Sequence, residues 1–477
     1  AYINIERGHR KSLGESIVLN GINIRELQQG ETYKYLGLDE DISYKGHLNK
    51  TRLMKEYFSR VRKIWKSQLT ARNKVIAHNT FAIPVLVPTF GILEWTKEEV
   101  DQIDVKTRKI LTLNQSFHRN SNVARLYTTR DQGGGGLNSA TETFISRIAA
   151  VAEHLRLAST TSTLLREVHR HEKEKLLRLA SNFCATLNIV PQLPVDPRDL
   201  ARAVRSALKK ENAKAWTELP QHGFVQRKQT EQAEYDSKLA NKWLSKPSMT
   251  SHVEGYIFAM QEQEIRTKSL DKKRNANSDQ HTDDLCRHCK SSREDIFHLL
   301  CSCPELSLSL YLPLRHNEVA KLVYIELMRR FAPEEEIDRP RQTFSNGNVE
   351  VWWDHKISLS PPVKYNRPDI VLWSKNDKIC RIIEICVPLD VNVENEEKIK
   401  RDKYKLLATG LHRMYEDYTF AVIPIVVGAT GYIPKSLVVN LGKCGIKDAV
   451  KVIPKMQQKA LYGSMKILKA ALKTKWN

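Results

Sequence analysis

No uninterrupted apolar stretch in this 477-residue chain is long enough to cross a bilayer, so a helical membrane span is excluded. No secretory leader is visible, so an oxidising compartment is not expected. No internal repeat is apparent, so a repeat array is not expected either. Acidic residues are scarce beside basic ones: 55 Asp and Glu stand against 76 Lys and Arg, a formal charge of +21. That balance points to a polyanionic partner, nucleic acid being the simplest, and the plain alternative is a basic solvated surface. The chain begins at Ala1 rather than Met, and a fragment is expected.

What is present is enough for globular structure. The hydrophobic content is 41%. The length exceeds one core and implies about two to four domains. Of eight cysteines, Cys286, Cys289, Cys301 and Cys303 sit together. In a long basic chain that clustering suggests metal and a reducing, intracellular setting, not a disulfide framework.

Taken in order, residues 1–45 read as strands and turns. Ser16 to Ile24 is expected to form a hairpin turning at Asn20-Gly21, and Tyr33 to Leu38 a further strand. From about Gly46 the period becomes helical, with Leu53, Tyr57, Val61, Ile64 and Leu69 near helical spacing. Thr96-Lys-Glu-Glu99 is a capping-box pattern. The glycine loop Asp131 to Leu137 lacks both a preceding strand and a Gly-Lys-Ser/Thr ending, so it reads as a flexible turn and not as a phosphate cradle. Residues 138–270 look mostly helical, with a break at Pro191 to Pro197, and the polar stretch Asp271 to Asp284 reads as a boundary.

Cys286 and Cys289 form a knuckle, His298 lies on a short helical stretch, and Cys303 follows. Three thiolates and an imidazole make a closed tetrahedral zinc shell, which lets a small segment fold without its own core. Cys301 could replace Cys303, and His288 competes weakly for the imidazole position. The alternative is a set of buried free cysteines around a satisfied histidine.

The stretch Asn366 to Leu407 organises the C-terminal part. Two β-rich runs, Ile370 to Trp373 and Ile379 to Val387, are joined by a short polar loop and read as a hairpin. Asp369 opens the first run and Glu384 lies inside the second, where a carboxylate is costly unless it is paired or holds a metal. A charged helix follows from Glu394 to Tyr418, carrying Lys400, Lys403 and Tyr404, and Phe420 to Val427 reads as a buried strand. A PD…(D/E)xK nuclease places an Asp at a strand start, an acid on the next strand and a lysine near both, around Mg²⁺. Pro368-Asp369 and Glu384 fit that order. The residue two after Glu384 is Cys386, where the usual pattern has lysine, so the lysine must come from elsewhere: Lys403 first, Lys400 second. Taken singly, Asp369 could equally be a turn carboxylate, Glu384 a paired strand acid, and Lys403 a solvated helix charge.

Together, Cys286, Cys289, His298 and Cys303, followed by Arg367-Pro368-Asp369, Glu384 and Lys403-Tyr404, resemble the C-terminal half of an R2-type non-LTR retrotransposon polyprotein. Tyr33 to Gly37 is similar to the segment after that family's reverse-transcriptase palm. Leu126 to Leu137 resembles its glycine-containing segment, and Pro424 to Pro434 with Ala460 to Leu472 its terminal region. Residues 140–270 match only loosely. The resemblance implies a multidomain α+β chain: a truncated palm end (1–45), a thumb-like helical domain (46–140), a helical linker region (141–280), a CCHC zinc knuckle (281–310) and an α/β restriction-like endonuclease (311–477).

It also implies a nuclear protein that nicks target DNA for target-primed reverse transcription of element RNA. Structural Zn²⁺ would sit in the knuckle. Catalytic Mg²⁺ would sit on Asp369 and Glu384, with Lys403 and Tyr404 in the nicking site. Residues 1–45 contain no paired aspartates, and Asp283-Asp284 lies too far along the chain, so no DNA synthesis is expected from this chain alone. Two other readings stand beside this one: a catalytically inactive nucleic-acid-binding remnant, and a zinc-organised scaffold for other proteins.

Overall fold

The computed structural model describes residues 2–7, 9–12, 14, 16–28, 31–35, 37–40, 46–171, 175–190, 195–275, 283–334 and 336–473. The class is mixed α+β, with a five-stranded sheet. The chain divides into two compact units. One comprises Ala1–Ser67, Ile76–Ile110 and Asn138–Leu208; the other comprises Gln68–Val75, Leu111–Leu137 and Lys209–Asn477.

The first unit opens with small hairpins. Ile17–Leu19 pairs antiparallel with Ile22–Ile24, and Asn20 and Gly21 both take positive φ, as a tight two-residue hairpin turn requires. Tyr33 to Leu38 is not one strand: Tyr33–Tyr35 folds back on Leu38–Glu40, with Gly37 at φ 87° in the turn. The helix Gly46–Lys66 buries Leu53, Tyr57, Val61 and Trp65 along one stripe. At the start of helix Lys97–Leu113, the Thr96 amide donates to Glu99 and the Glu99 amide donates to the Thr96 hydroxyl, the reciprocal cap anticipated from the residues. Asp104 caps the next long helix, Ala140–Ala158, accepting from the amides of Ala140 and Thr141 at 2.8 and 3.1 Å. These donors, aligned with the positive end of the helix dipole, make a buried carboxylate tolerable there.

The second unit is built on the sheet. Thr343–Ser345, Val349–Trp353, Ile370–Ser374 and Ile379–Cys386 run as an antiparallel meander. Thr419–Val426 then joins the far side of Ile379–Cys386 in parallel. Alternation divides the side chains between two cores. Ile370, Leu372, Ile383 and Ile385 pack with helix Asn317–Phe331 and the C-terminal helix Ala449–Leu472. Val371, Trp373, Cys380 and Ile382 face the opposite side, against Tyr404, Leu407 and Leu411. A third core joins helix Ser251–Gln261, the cysteine-rich segment and the C-terminal helix. No division between the two units falls at the expected boundary at 271–284, and residues on both sides of it, Ile265 and Cys286 among them, share this third core; residues 276–282 lie outside those described.

Two further expectations change. The amphipathic run from Glu394 to Tyr418 is two helices, Val393–Lys403 and Lys405–Met414, broken at Tyr404. Met414 is consequently exposed while Tyr404, Leu407 and Leu411 are buried. The glycine loop is not a free turn. Amides of Gly134, Gly135, Gly136 and Leu137 donate to carbonyls of Thr129, Arg125, Thr128 and Leu126 at 2.8–3.2 Å. A side chain at Gly135 would meet the Leu126 carbonyl at 2.6 Å, so glycine is required by close backbone approach. Gly135→Ala is therefore expected to cost about 1–3 kcal/mol as overpacking, read as a lowered denaturant midpoint. Gly442→Ala, which meets nothing within 4 Å, should leave the midpoint unchanged or raise it.

Candidate functional site

The cysteine-rich segment turns on Cys286 and Cys289. The Cys286 amide donates to Ser292 O at 2.7 Å, Lys290 N donates back to Cys286 O at 3.0 Å, and Lys290 takes φ 57° to close the turn. Arg287 clamps the segment in a bidentate pair with the fully buried Glu294, at 2.7 and 2.8 Å. Asp295 accepts from the His298 amide at 2.8 Å and sets the wide helical turn that carries the imidazole. The ligand atoms of Cys286, Cys289, His298 and Cys303 all lie within 4.8 Å of one another, and these residues could hold a metal ion such as zinc. Cys286 and Cys303 sulfurs are 3.9 Å apart, and Cys289 Sγ lies 3.4 Å from His298 Nε2. A tetrahedral zinc with ordinary bond lengths needs edges of about 3.5–3.8 Å. Hydrogen bonds from Ser291 draw the Cys289 thiol down to about 6, toward the thiolate a cation needs, while burial and neighbouring Cys286 push Cys303 up to about 11.

The two rival ligands are engaged elsewhere. Cys301 Sγ lies 3.7 Å from the Arg315 guanidinium, and His288 Nε2 is 2.9 Å from the Ala471 carbonyl.

The second cluster lies on the sheet. The antiparallel pairing of Ile370 with Ile383 continues one step to Asp369 opposite Glu384. By alternation both acids project on the side occupied by Tyr404. Asp369 Oδ2 accepts from the Ile385 amide at 2.7 Å. Glu384 is buried, and its Oε1 accepts from Lys403 Nζ at 2.8 Å and Lys400 Nζ at 3.1 Å. Its Oε2 is buried and has no hydrogen-bond partner among the described residues. The two lysines stand three residues apart on helix Val393–Lys403, hence on one face. Burial alone would lower Lys400, but Cys386, Glu384 and Asp369 around it push it above its ordinary value.

Tyr404 ends that helix. Its hydroxyl donates to Arg367 O at 3.0 Å, and its ring lies 4.6 Å from Lys403 Nζ. Burial and then Glu384 raise the phenol well above its ordinary range, so it stays protonated. Cys386 occupies the position of the usual lysine and approaches Glu396 at 3.8 Å; burial lifts its thiol to about 12, so it supplies no charge to the acids.

Asp369, Glu384, Lys400, Lys403 and Tyr404 are thus brought together on one face of two neighbouring interior strands of the sheet. His316 joins them without any signal in the sequence. Its Nε2 lies 3.3 Å from Asp369 Oδ2 and 3.1 Å from Ile385 O. Burial would lower this imidazole, but the hydrogen bond to Asp369 and its charge outweigh it and raise the group to about 9.

Neither the known family models nor the curated proteins contain a match to this chain.

For the four-ligand cluster, elemental analysis of purified protein is expected to find one zinc per chain. Cys286→Ser and His298→Ala should lose it, whereas Cys301→Ala and His288→Ala should retain it.

Proposed function

We propose that the second unit carries a Mg²⁺-dependent DNA endonuclease of restriction-like type, within a piece of an R2-type retrotransposon protein that lacks the polymerase aspartates. The observation that carries this reading is the cross-strand pair of Asp369 and Glu384, with one Glu384 oxygen buried and unpartnered and two lysines delivered from the following helix. Such an oxygen costs stability unless a cation or donor reaches it. Asp369 and Glu384 would hold Mg²⁺, which when bound polarises a phosphate and lowers the pKa of bound water.

The chain's own groups divide the remaining work. Lys403, with Lys400 second, supplies positive charge to the phosphate as it gains charge in the transition state or takes part in deprotonating the attacking water. Tyr404 holds the end of the lysine helix against the Arg367 carbonyl, two residues before Asp369. The excess of basic residues supplies the salt-dependent attraction to a duplex, and to element RNA. Under this reading 46–140 is thumb-like, 141–280 a helical linker region, 281–310 a zinc knuckle that places nucleic-acid strands, and 311–477 the nuclease, acting in the nucleus in target-primed reverse transcription.

A second reading, a nucleic-acid binder that no longer cuts, is favoured by one observation. Both lysines are engaged with Glu384, and Cys386 stands where the usual pattern has lysine. Nicking of supercoiled plasmid separates the two. The parent should convert it to open circles with Mg²⁺ and not with EDTA. Asp369→Ala and Glu384→Ala should each reduce the rate by about 100-fold or more, and Lys403→Ala should fall further than Lys400→Ala. Salt-dependent binding without any nicking would leave the second reading standing.

A further inference from the structure

His316 is a titratable side chain at the acidic cluster, in contact with Asp369, that the proposed chemistry does not use. It reaches the cluster from outside the sheet, at the end of the wide helical segment Ser307–His316 that leaves the cysteine-rich knuckle. That segment is fixed at its middle and near its end. Tyr311 Oη accepts from the Cys303 amide at 3.1 Å and lies 3.0 Å from Leu299 O, tying the segment to the knuckle turn. Buried Arg315 donates to Ser464 on the C-terminal helix at 3.1 Å. Gly463 of that helix lets the backbone come close, since a side chain there would meet Arg315 Cα at 2.7 Å. His316 is therefore presented from a rigid support.

Nε2 faces two acceptors, Asp369 Oδ2 and Ile385 O, so it carries the proton; Nδ1 lies 3.1 Å from the Asn317 side-chain oxygen. The Ile385 amide donates to the same Asp369 oxygen. The Ile385 amide, as a hydrogen bond, and the His316 imidazole, as an ion-pair contact, thus meet at the same oxygen, Oδ2. We infer that His316 is a positioning residue for Asp369: with the Ile385 amide it fixes the carboxylate so that its other oxygen is offered beside Glu384. Carboxylates that bind metals are held by such outer hydrogen bonds, and losing one typically costs 10–100-fold in metal affinity or activity.

This inference rests on the nuclease reading, and the experiment keeps the two apart. Plasmid nicking is titrated with Mg²⁺, and Mn²⁺ binding in the absence of DNA is followed by electron paramagnetic resonance with a parallel shift expected, for the parent, Asp369→Ala, His316→Ala, His316→Gln and His316→Phe, each checked for bound zinc and thermal midpoint. His316→Ala is expected to raise the half-saturating Mg²⁺ concentration 10–100-fold. His316→Gln, which keeps an N–H donor, should recover most of that shift. His316→Phe, which fills the space without a donor, should shift as His316→Ala does, and it carries the test if the alanine variant fails to fold. If Asp369→Ala abolishes nicking while the donor-less variants keep the parental Mg²⁺ dependence, the inference is overturned and the nuclease reading stands. An Asp369→Ala variant as active as the parent overturns both. A glutamine variant as impaired as alanine also overturns the inference, because the histidine would then act by shape and not by its donor.

Discussion

A carboxylate buried in a sheet is the constraint on which the second unit turns. Glu384 lies between Ile383 and Ile385 on an interior strand, and that environment penalises its charge. Lys400 and Lys403, both on helix Val393–Lys403, offset that penalty. Taking both lysines away would strand an uncompensated charge, a change that costs about 3–5 kcal/mol in buried pairs. The position of that helix brings positive charge to one Glu384 oxygen, while the other is buried with no hydrogen-bond partner within 3.5 Å among the described residues.

The cysteine-rich segment is integrated with this arrangement. Cys286 and Cys303 belong to a core shared with helix Ser251–Gln261 and the C-terminal helix, which also packs on the sheet through Val452, Ile453 and Met456. A metal ion there would stabilise more than its own loop, because the segment leading to His316 is bonded to the knuckle's backbone. In the proposed enzyme, structural metal and catalytic acids are thus connected by a short run of backbone.

Much of the acidic cluster was legible in the residues because its members obey local periods. The two β-runs alternate, so their register puts Asp369 and Glu384 on one face, and lysines three apart share a helix face. The Cys286, Cys289, His298 and Cys303 group that could hold a metal ion was legible for the same reason, its members being close in sequence and of diagnostic type. What escaped depended on distant partners. Nothing around Tyr404 breaks the amphipathic period; the break is met by a bond to the Arg367 carbonyl, far away along the chain. His316 sits among residues with no motif, and its role appears only when the sheet places Asp369 beside it. The glycine run reads equally as looseness or as tight packing, and only the carbonyls of Arg125, Leu126 and Thr128 decide for packing. A core that takes residues from both sides of the polar stretch 271–284, Ile265 and Cys286 among them, is likewise invisible in composition.

The central claim is that Asp369 and Glu384 jointly grip a divalent cation. Mn²⁺ titration of the zinc-loaded protein, followed by electron paramagnetic resonance, tests it without reference to any substrate. The account predicts one bound Mn²⁺ per chain that Mg²⁺ displaces, and that is lost in Asp369→Asn and in Glu384→Gln while zinc is retained. Mn²⁺ that stays free in the parent, or that binds equally well in both variants, would contradict it.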